Sequence, residues 1–226
     1  MQAEQQNIIN DQNKMKSWLA QQPDTERIAG FIPGPGIQKL DLKFDIEELR
    51  KALDQVTSLS KYEGDYRDEG FGAISLTRRP GNEETSKNDL SGRFWLRADD
   101  RYVEEPQEEL VDEIAFSEFV PKYEGNYFET IHQALTERFH IGRMRVLSKG
   151  LYNCNSWHRD PEPRLHIPIV SNPGSLFIVN NHCTHLPADG SVYFTDTRGY
   201  HTALNGGWYE RVHIVAALPI AANLDE

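Results

Sequence analysis

LHIPIVSNPGSLFIVNNHCTHLPADGSVYFTDTRGYHTALNGGWYERVHIVAAL, residues 165–218, is a succession of short apolar runs cut by turn residues. Leu165–Val170, Ser175–Val179, Ser191–Phe194 and Arg211–Leu218 have the length of strands, and Asn-Pro-Gly, Asn-Asn-His, Asp-Gly and Asn-Gly-Gly separate them. Short strands punctuated in this way predict an all-β sandwich or barrel.

Upstream, Gly142–Leu147 reads as a further strand, preceded by a helix over Tyr127–Phe139 with Ile131, Leu135 and Phe139 on one face. Phe71–Thr77 and Gln38–Phe44 also alternate as strands should. Between them Asp45 is placed to cap a helix over Ile46–Val56, whose Ile46, Leu49, Leu53 and Val56 form an apolar stripe. Pro80–Gly92 is polar and turn-rich, a candidate lid or a solvated connector. The breaker cluster Phe31-Ile-Pro-Gly-Pro-Gly36 separates an N-terminal segment, 1–37, from the main domain, 38–226. Within that segment Ile8, Ile9, Met15, Trp18 and Leu19 have loosely helical spacing and predict a docked helix, with a frayed tail as the alternative.

With 226 residues, 38% hydrophobic and 10% aromatic, the chain suffices for one large domain with a real core. Its 24 Lys+Arg against 35 Asp+Glu give a net charge of −11, which disfavours nucleic acid and anionic lipid as partners. Cys154 and Cys183 fit neither a metal knuckle nor a disulfide framework, so a reducing compartment is expected. The sequence has no apolar run of membrane-spanning length and no basic, apolar leader. A cytoplasmic protein without membrane partners is the expectation; the oligomeric state is not encoded in any motif.

Six of the eight histidines, His158, His166, His182, His185, His201 and His213, fall among the C-terminal strands. The sharpest signal is Trp157-His158-Arg159-Asp160. In an extended segment His158 and Asp160 point the same way, so an imidazole and a carboxylate converge while Arg159 faces elsewhere. A 2-His-1-carboxylate triad for non-haem Fe(II) needs one more histidine from another strand, and His201 is the best candidate. Arg211 supplies a second signal, because it is a guanidinium set in the apolar run Arg211-Val-His213-Ile-Val. A buried arginine is costly unless it meets an anion, and it pairs best with a carboxylate. An internal salt bridge is the alternative.

The order His158-x-Asp160, Arg164-x-His166, His201-x-x-x-Asn205 and Arg211 resembles the 2-oxoglutarate- and Fe(II)-dependent oxygenases of the aspartyl/asparaginyl β-hydroxylase and proline-hydroxylase-like type. The resemblance covers roughly residues 140–220. It implies a mainly β, double-stranded β-helix of jelly-roll, cupin-like form with supporting N-terminal helices. It also implies that His158, Asp160 and His201 hold Fe(II) and that Arg211 grips the distal carboxylate of 2-oxoglutarate. Arg164 and His166 would help to hold this cosubstrate, with Ser148 adding a hydrogen bond. The presence of Asp160 favours hydroxylation over halogenation.

In that reading dioxygen and 2-oxoglutarate are consumed, succinate and CO2 are released, and an unactivated C–H of a free amino acid, or of a side chain in a peptide or protein, is hydroxylated. Specificity is expected in Tyr62–Arg79, in the 80–92 loop and in the 182–190 stretch. His182 and His185 read as part of a loop at the barrel mouth, His132 and His140 as structural, and His213 as lining the pocket or packing in the core. Trp95, Trp157 and Trp208 are expected in the core, and Cys154 is a free thiol near the site. The rival readings are a cupin-like metal enzyme that uses no 2-oxoglutarate and a non-catalytic β-barrel interaction module.

Overall fold

The structure is a computed structural model describing residues 2–20, 30–64, 70–82, 92–97, 103–107 and 109–219. Most of the expected 80–92 loop and part of the 62–79 stretch lie outside these residues. The N-terminal half contributes α1 (Gln2–Ala20), β1 (Ile37–Lys43), α2 (Ile46–Leu59), β2 (Phe71–Ser75) and β3 (Thr77–Arg78). It continues with β4 (Phe94–Arg97), β5 (Glu104–Gln107), β6 (Glu118–Phe119) and α3 (Tyr127–Thr136). The remainder forms β7 (Met144–Lys149), β8 (Asn153–Cys154), β9 (His158–Arg159), β10 (Arg164–Val170) and β11 (Ser175–Val179). It ends with β12 (His182–Thr184), β13 (Ser191–Thr195), β14 (His201–Asn205) and β15 (Arg211–Ala217).

Two antiparallel sheets face one another. One has the order β1-β13-β10-β15-β7-β2; the other has β12-β11-β14-β9-β4-β5, with β8 also paired to β14. From β7 onward the chain crosses between them, with β7, β10, β13 and β15 in the first sheet and β9, β11 and β14 in the second. That alternation makes the barrel a double-stranded β-helix. Tight turns make the crossings possible. Asn180 and Asn181, both at positive φ (48° and 65°), close the β11–β12 hairpin between Val179 and His182, where a two-residue loop needs left-handed residues.

Side-chain alternation gives the first sheet two different faces. Its outer face carries Met144, Val146, Leu165, Ile167, Ile169, Val212, Ile214 and Ala216, packed with Leu49, Leu53 and Val56 of α2 and Phe128, Ile131 and Leu135 of α3. Both helices are amphipathic and capped, α2 by Asp45, whose carboxylate accepts from the Glu47 and Glu48 amides, and α3 by Asn126. The inner face packs in part through Ile37 and Tyr193, which form an apolar cluster with Phe177, Val179 and Ala203 of the second sheet and with Leu186. The rest of it is polar.

Two expectations are corrected. α1 is helical but not docked, since Ile8, Met15 and Trp18 are all exposed. Its apolar residues do not gather into one stripe that a sheet could bury. Trp208 is also exposed, at 78%, and Trp157 at 41%, because both lie in connections rather than in strands. Cys154 and Cys183 are free and exposed. No helix among the described residues is long and apolar enough to cross a membrane.

Candidate functional site

His158 and His201 are directly opposite one another across the β9–β14 ladder, with ring centroids 4.2 Å apart. Asp160 follows β9, and its backbone amide donates to Thr197 O at 2.8 Å, which turns its carboxylate toward the same point. One ligand atom from each of His158, Asp160 and His201 lies within 4.8 Å of the others. Each imidazole is oriented from behind. His158 Nδ1 is 2.7 Å from Ser156 O and His201 Nδ1 is 3.1 Å from Gly199 O. A carbonyl can only accept, so Nδ1 carries the hydrogen in both rings and Nε2 presents its lone pair.

Burial lowers His201 to about 4, which keeps it neutral, as a metal ligand must be. Burial would raise Asp160, but Arg164 and the two imidazoles outweigh it and bring the carboxyl down to about 2. Two imidazole nitrogens and one carboxylate gathered around one point suit a divalent first-row cation such as Fe(II).

Arg211, at the start of β15, is buried against His213. Its Nε donates to His213 Nε2 at 3.1 Å, and Nη2 is 2.9 Å from Nδ1. His166, opposite Val215 in the ladder, completes the group, with its Nδ1 3.4 Å from His213 Nδ1 and its ring 5.2 Å from Phe177. Phe177 in turn stacks on His201 at 5.8 Å, so the group and the triad share one continuous inner surface. No described carboxylate pairs with Arg211, which excludes, among the described residues, the internal salt bridge that was the alternative. Burial lowers its guanidinium to about 10. Burial, then the nearby Arg211 charge, pushes both His166 and His213 well below the ordinary imidazole value.

Two residues expected near a cosubstrate are engaged elsewhere. Ser148 alternates with Met144 and Val146 and so belongs to the outer face, where its hydroxyl donates to Glu210 Oε2 at 2.9 Å. Arg164 does lie on the inner face, but its guanidinium meets three acids. Nε is 3.3 Å from Asp160 Oδ2, Nη2 is 2.5 Å from Glu162 Oε1, and Nη1 is 3.8 Å from Glu113 Oε1. It buttresses the Asp160 carboxylate instead of facing Arg211. Glu113 comes from a 3-10 turn at Glu113–Ala115 and is also gripped by Arg143, with Nε to Oε1 at 2.9 Å and Nη2 to Oε1 at 2.5 Å.

Of the remaining histidines, His182 is turned away, with Nε2 2.8 Å from Ile32 O, and His185 Nδ1 contacts Ser175 O at 2.9 Å. Sequence reasoning missed Glu113, Glu162, Arg143 and Arg145. Arg143, just before β7, and Arg145 and Lys149 within it share the face opposite Met144 and Val146, and charges confined to one face of a strand were the available signal of a polar inner face.

No family model and no curated protein sequence matches the chain. Solved structures similar to it include an oxidoreductase of the 2OG-Fe(II) oxygenase family from Burkholderia pseudomallei, 18% identical, with TM-score 0.49 over 81% of this chain and 84% of that one. A prolyl hydroxylase from Trichoplax adhaerens, solved with a peptide fragment of hypoxia inducible factor, is 13% identical, with TM-score 0.42 over 81% and 83%. A DMSP lyase from Ruegeria pomeroyi is 9% identical, with TM-score 0.39 over 97% and 93%.

Proposed function

We propose that this protein is an Fe(II)- and 2-oxoglutarate-dependent dioxygenase that hydroxylates an unactivated C–H of an amino acid, free or within a peptide or protein. The observation that carries the reading is Arg211. A buried guanidinium that meets no carboxylate among the described residues, on the surface that also carries His158, Asp160 and His201, calls for an anionic ligand that lies beside a metal.

His158, Asp160 and His201 would hold the iron, and the bound metal with 2-oxoglutarate supplies the oxidising chemistry, with release of succinate and CO2. The chain's own contribution is geometric and electrostatic. Arg211 offers the paired N–H groups that match a carboxylate. His213 lies against that guanidinium and orients it, and staying neutral it adds no competing charge. His166 stands between Arg211 and the triad as a neutral polar wall. Phe177 and Phe94, against His201 and His158, limit the access of water to the ligands. The ring carbonyl contacts and Arg164 hold the three donors in position before any metal arrives.

Equilibrium binding of 2-oxoglutarate under anaerobic conditions, with Mn(II) in place of Fe(II), tests the reading. Arg211→Met should weaken 2-oxoglutarate binding roughly 30-fold or more, the usual result of removing one partner from a buried charged pair, while Mn(II) binding stays close to wild type. His158→Ala and His201→Ala should abolish Mn(II) binding, and His182→Ala should not. Wild-type protein with Fe(II) and ascorbate should form succinate, and screening amino acids and peptides for stimulation of that turnover identifies the substrate. Normal metal binding with neither 2-oxoglutarate binding nor succinate formation overturns the proposal in favour of a metal enzyme that uses no 2-oxoglutarate.

A further inference from the structure

The residues between and beside the ligands carry a second piece of machinery on the other face of the sheet. Arg159 lies between His158 and Asp160, and Tyr200 immediately precedes His201. Alternation along extended backbone sends both side chains outward, behind the ligands. There both meet a single carboxylate, Glu104 of β5. Arg159 Nε donates to Glu104 Oε1 at 2.6 Å and Nη2 to Oε2 at 2.7 Å, and the Tyr200 hydroxyl donates to Oε1 at 2.5 Å. The Arg159 guanidinium also stacks over Trp95 of β4, 4.1 Å from the ring centroid.

The backbone explains why such a latch matters. β9 is two residues long and is joined to β14 through one residue pair, His158 with His201, and to β4 through two, Leu96 with His158 and Trp95 with Arg159. Backbone bonds from Asn155 N to Ala203 O at 3.0 Å and from Asp160 N to Thr197 O at 2.8 Å hold the segment on either side, so a side-chain latch acts where the ladder itself has a single pair, at the ligands. The β4–β5 hairpin is also a wall of the site, because Leu96 is the cross-strand neighbour of His158 and Phe94 meets the edge of its ring at 5.6 Å.

We propose that Glu104 is a positioning residue of the metal centre. By holding Arg159 and Tyr200 together it fixes the spacing of β9 and β14, and with it the separation of His158, Asp160 and His201, and it seats the hairpin against His158. An exposed ion pair ordinarily contributes little. This one is bidentate, backed by an aromatic ring and shared by the neighbours of all three ligands; partners bonded to the ligands themselves are worth about 10–100-fold in metal affinity, and one step further out the low end of that range is expected. The inference rests on the triad being a metal centre but not on the use of 2-oxoglutarate.

The experiment is a Mn(II) titration of the full chain without 2-oxoglutarate, read as free Mn(II) by electron paramagnetic resonance and paired with amide hydrogen exchange. Glu104→Ala should raise the Mn(II) dissociation constant about tenfold or more. It should speed exchange in β4 and β5 and leave β10 and β15 protected. Glu104→Gln keeps one carbonyl oxygen, which can still accept from Tyr200 and from Arg159 Nε but turns an NH2 toward Nη2, and should recover part of the affinity. Glu47→Ala, which removes an exposed ion pair with Arg50 on α2, should bind Mn(II) as wild type does. A Glu104→Ala protein within twofold of wild type overturns the proposal. So does weakened binding accompanied by equally faster exchange in β10 and β15, which would mean general destabilisation. If wild type binds Mn(II) and Glu104→Ala weakens it, yet 2-oxoglutarate does not bind, the oxygenase reading falls and the positioning role stands. A wild-type chain that takes up no Mn(II) overturns both.

Discussion

Arg164 and Arg211 sit on the same inner surface, are equally hidden from water and have opposite surroundings. Arg164 is enclosed by Asp160, Glu162 and Glu113, which raise its proton affinity, whereas Arg211 faces neutral imidazole. Their removal should therefore have opposite effects on the metal-free protein. Arg164→Met leaves three carboxylates crowded in a low-dielectric site and should cost about 3–5 kcal/mol. Arg211→Met removes a desolvated cation that lacks a described counter-ion and should stabilise by roughly 1 kcal/mol or more, about 2–4 °C in Tm for each kcal/mol in a chain of this size. Thermal denaturation of both variants measures this, and the pairing of higher stability with lost cosubstrate binding would mark Arg211 as a residue kept for function. Position alone does not reveal this difference, because Glu113 reaches Arg164 from a distant turn and no local pattern announces it. What was legible was the pair of arginines themselves, since each is a charge in an apolar run.

Elements were legible where burial imposes a period. α2, α3, β10, β11, β13 and β15 have one face against a core, so their apolar residues recur at helix or strand spacing. The β4–β5 hairpin was not, because Glu104-Glu-Pro-Gln107 has no alternation to read and its place depends on pairing with β9. β9 is too short to carry any pattern. Ser148 was misjudged for a related reason, since its face follows from the register of β7 with β15 and one residue either way reverses it. The two helices should respond as ordinary packed and capped elements. Asp45→Ala removes the acceptor of the Glu47 and Glu48 amides and should cost about 1 kcal/mol. Ile131→Ala opens a cavity under α3 and should cost about 2–5 kcal/mol. Urea denaturation midpoints distinguish the two, and neither substitution should change Mn(II) affinity.

For the molecule as a whole, the polar interior sets a limit on acid tolerance. His166 and His213 have folded-state values depressed below the ordinary imidazole value by burial and then by Arg211. Above the ordinary value both states are neutral and these histidines contribute nothing. Below it the unfolded chain takes up protons that the folded chain excludes, so stability falls as pH drops, by about 1.4 kcal/mol per pH unit for each histidine. Asp160, held down at about 2, contributes stability above the ordinary carboxyl value and loses it as pH falls further. Urea midpoints measured from pH 8 down to 4 should therefore decline throughout the acid range, and a flat profile would contradict the burial of these groups. The sheet order has a different consequence, in time instead of pH. β15, the last described strand, fills the gap between β10 and β7 in the middle of its sheet. A growing polypeptide holds those two strands unpaired along facing edges until β15 emerges, so Arg211 joins the other inner residues in the step that closes the barrel, and ribosome-bound intermediates are exposed to edge-to-edge misassociation until then.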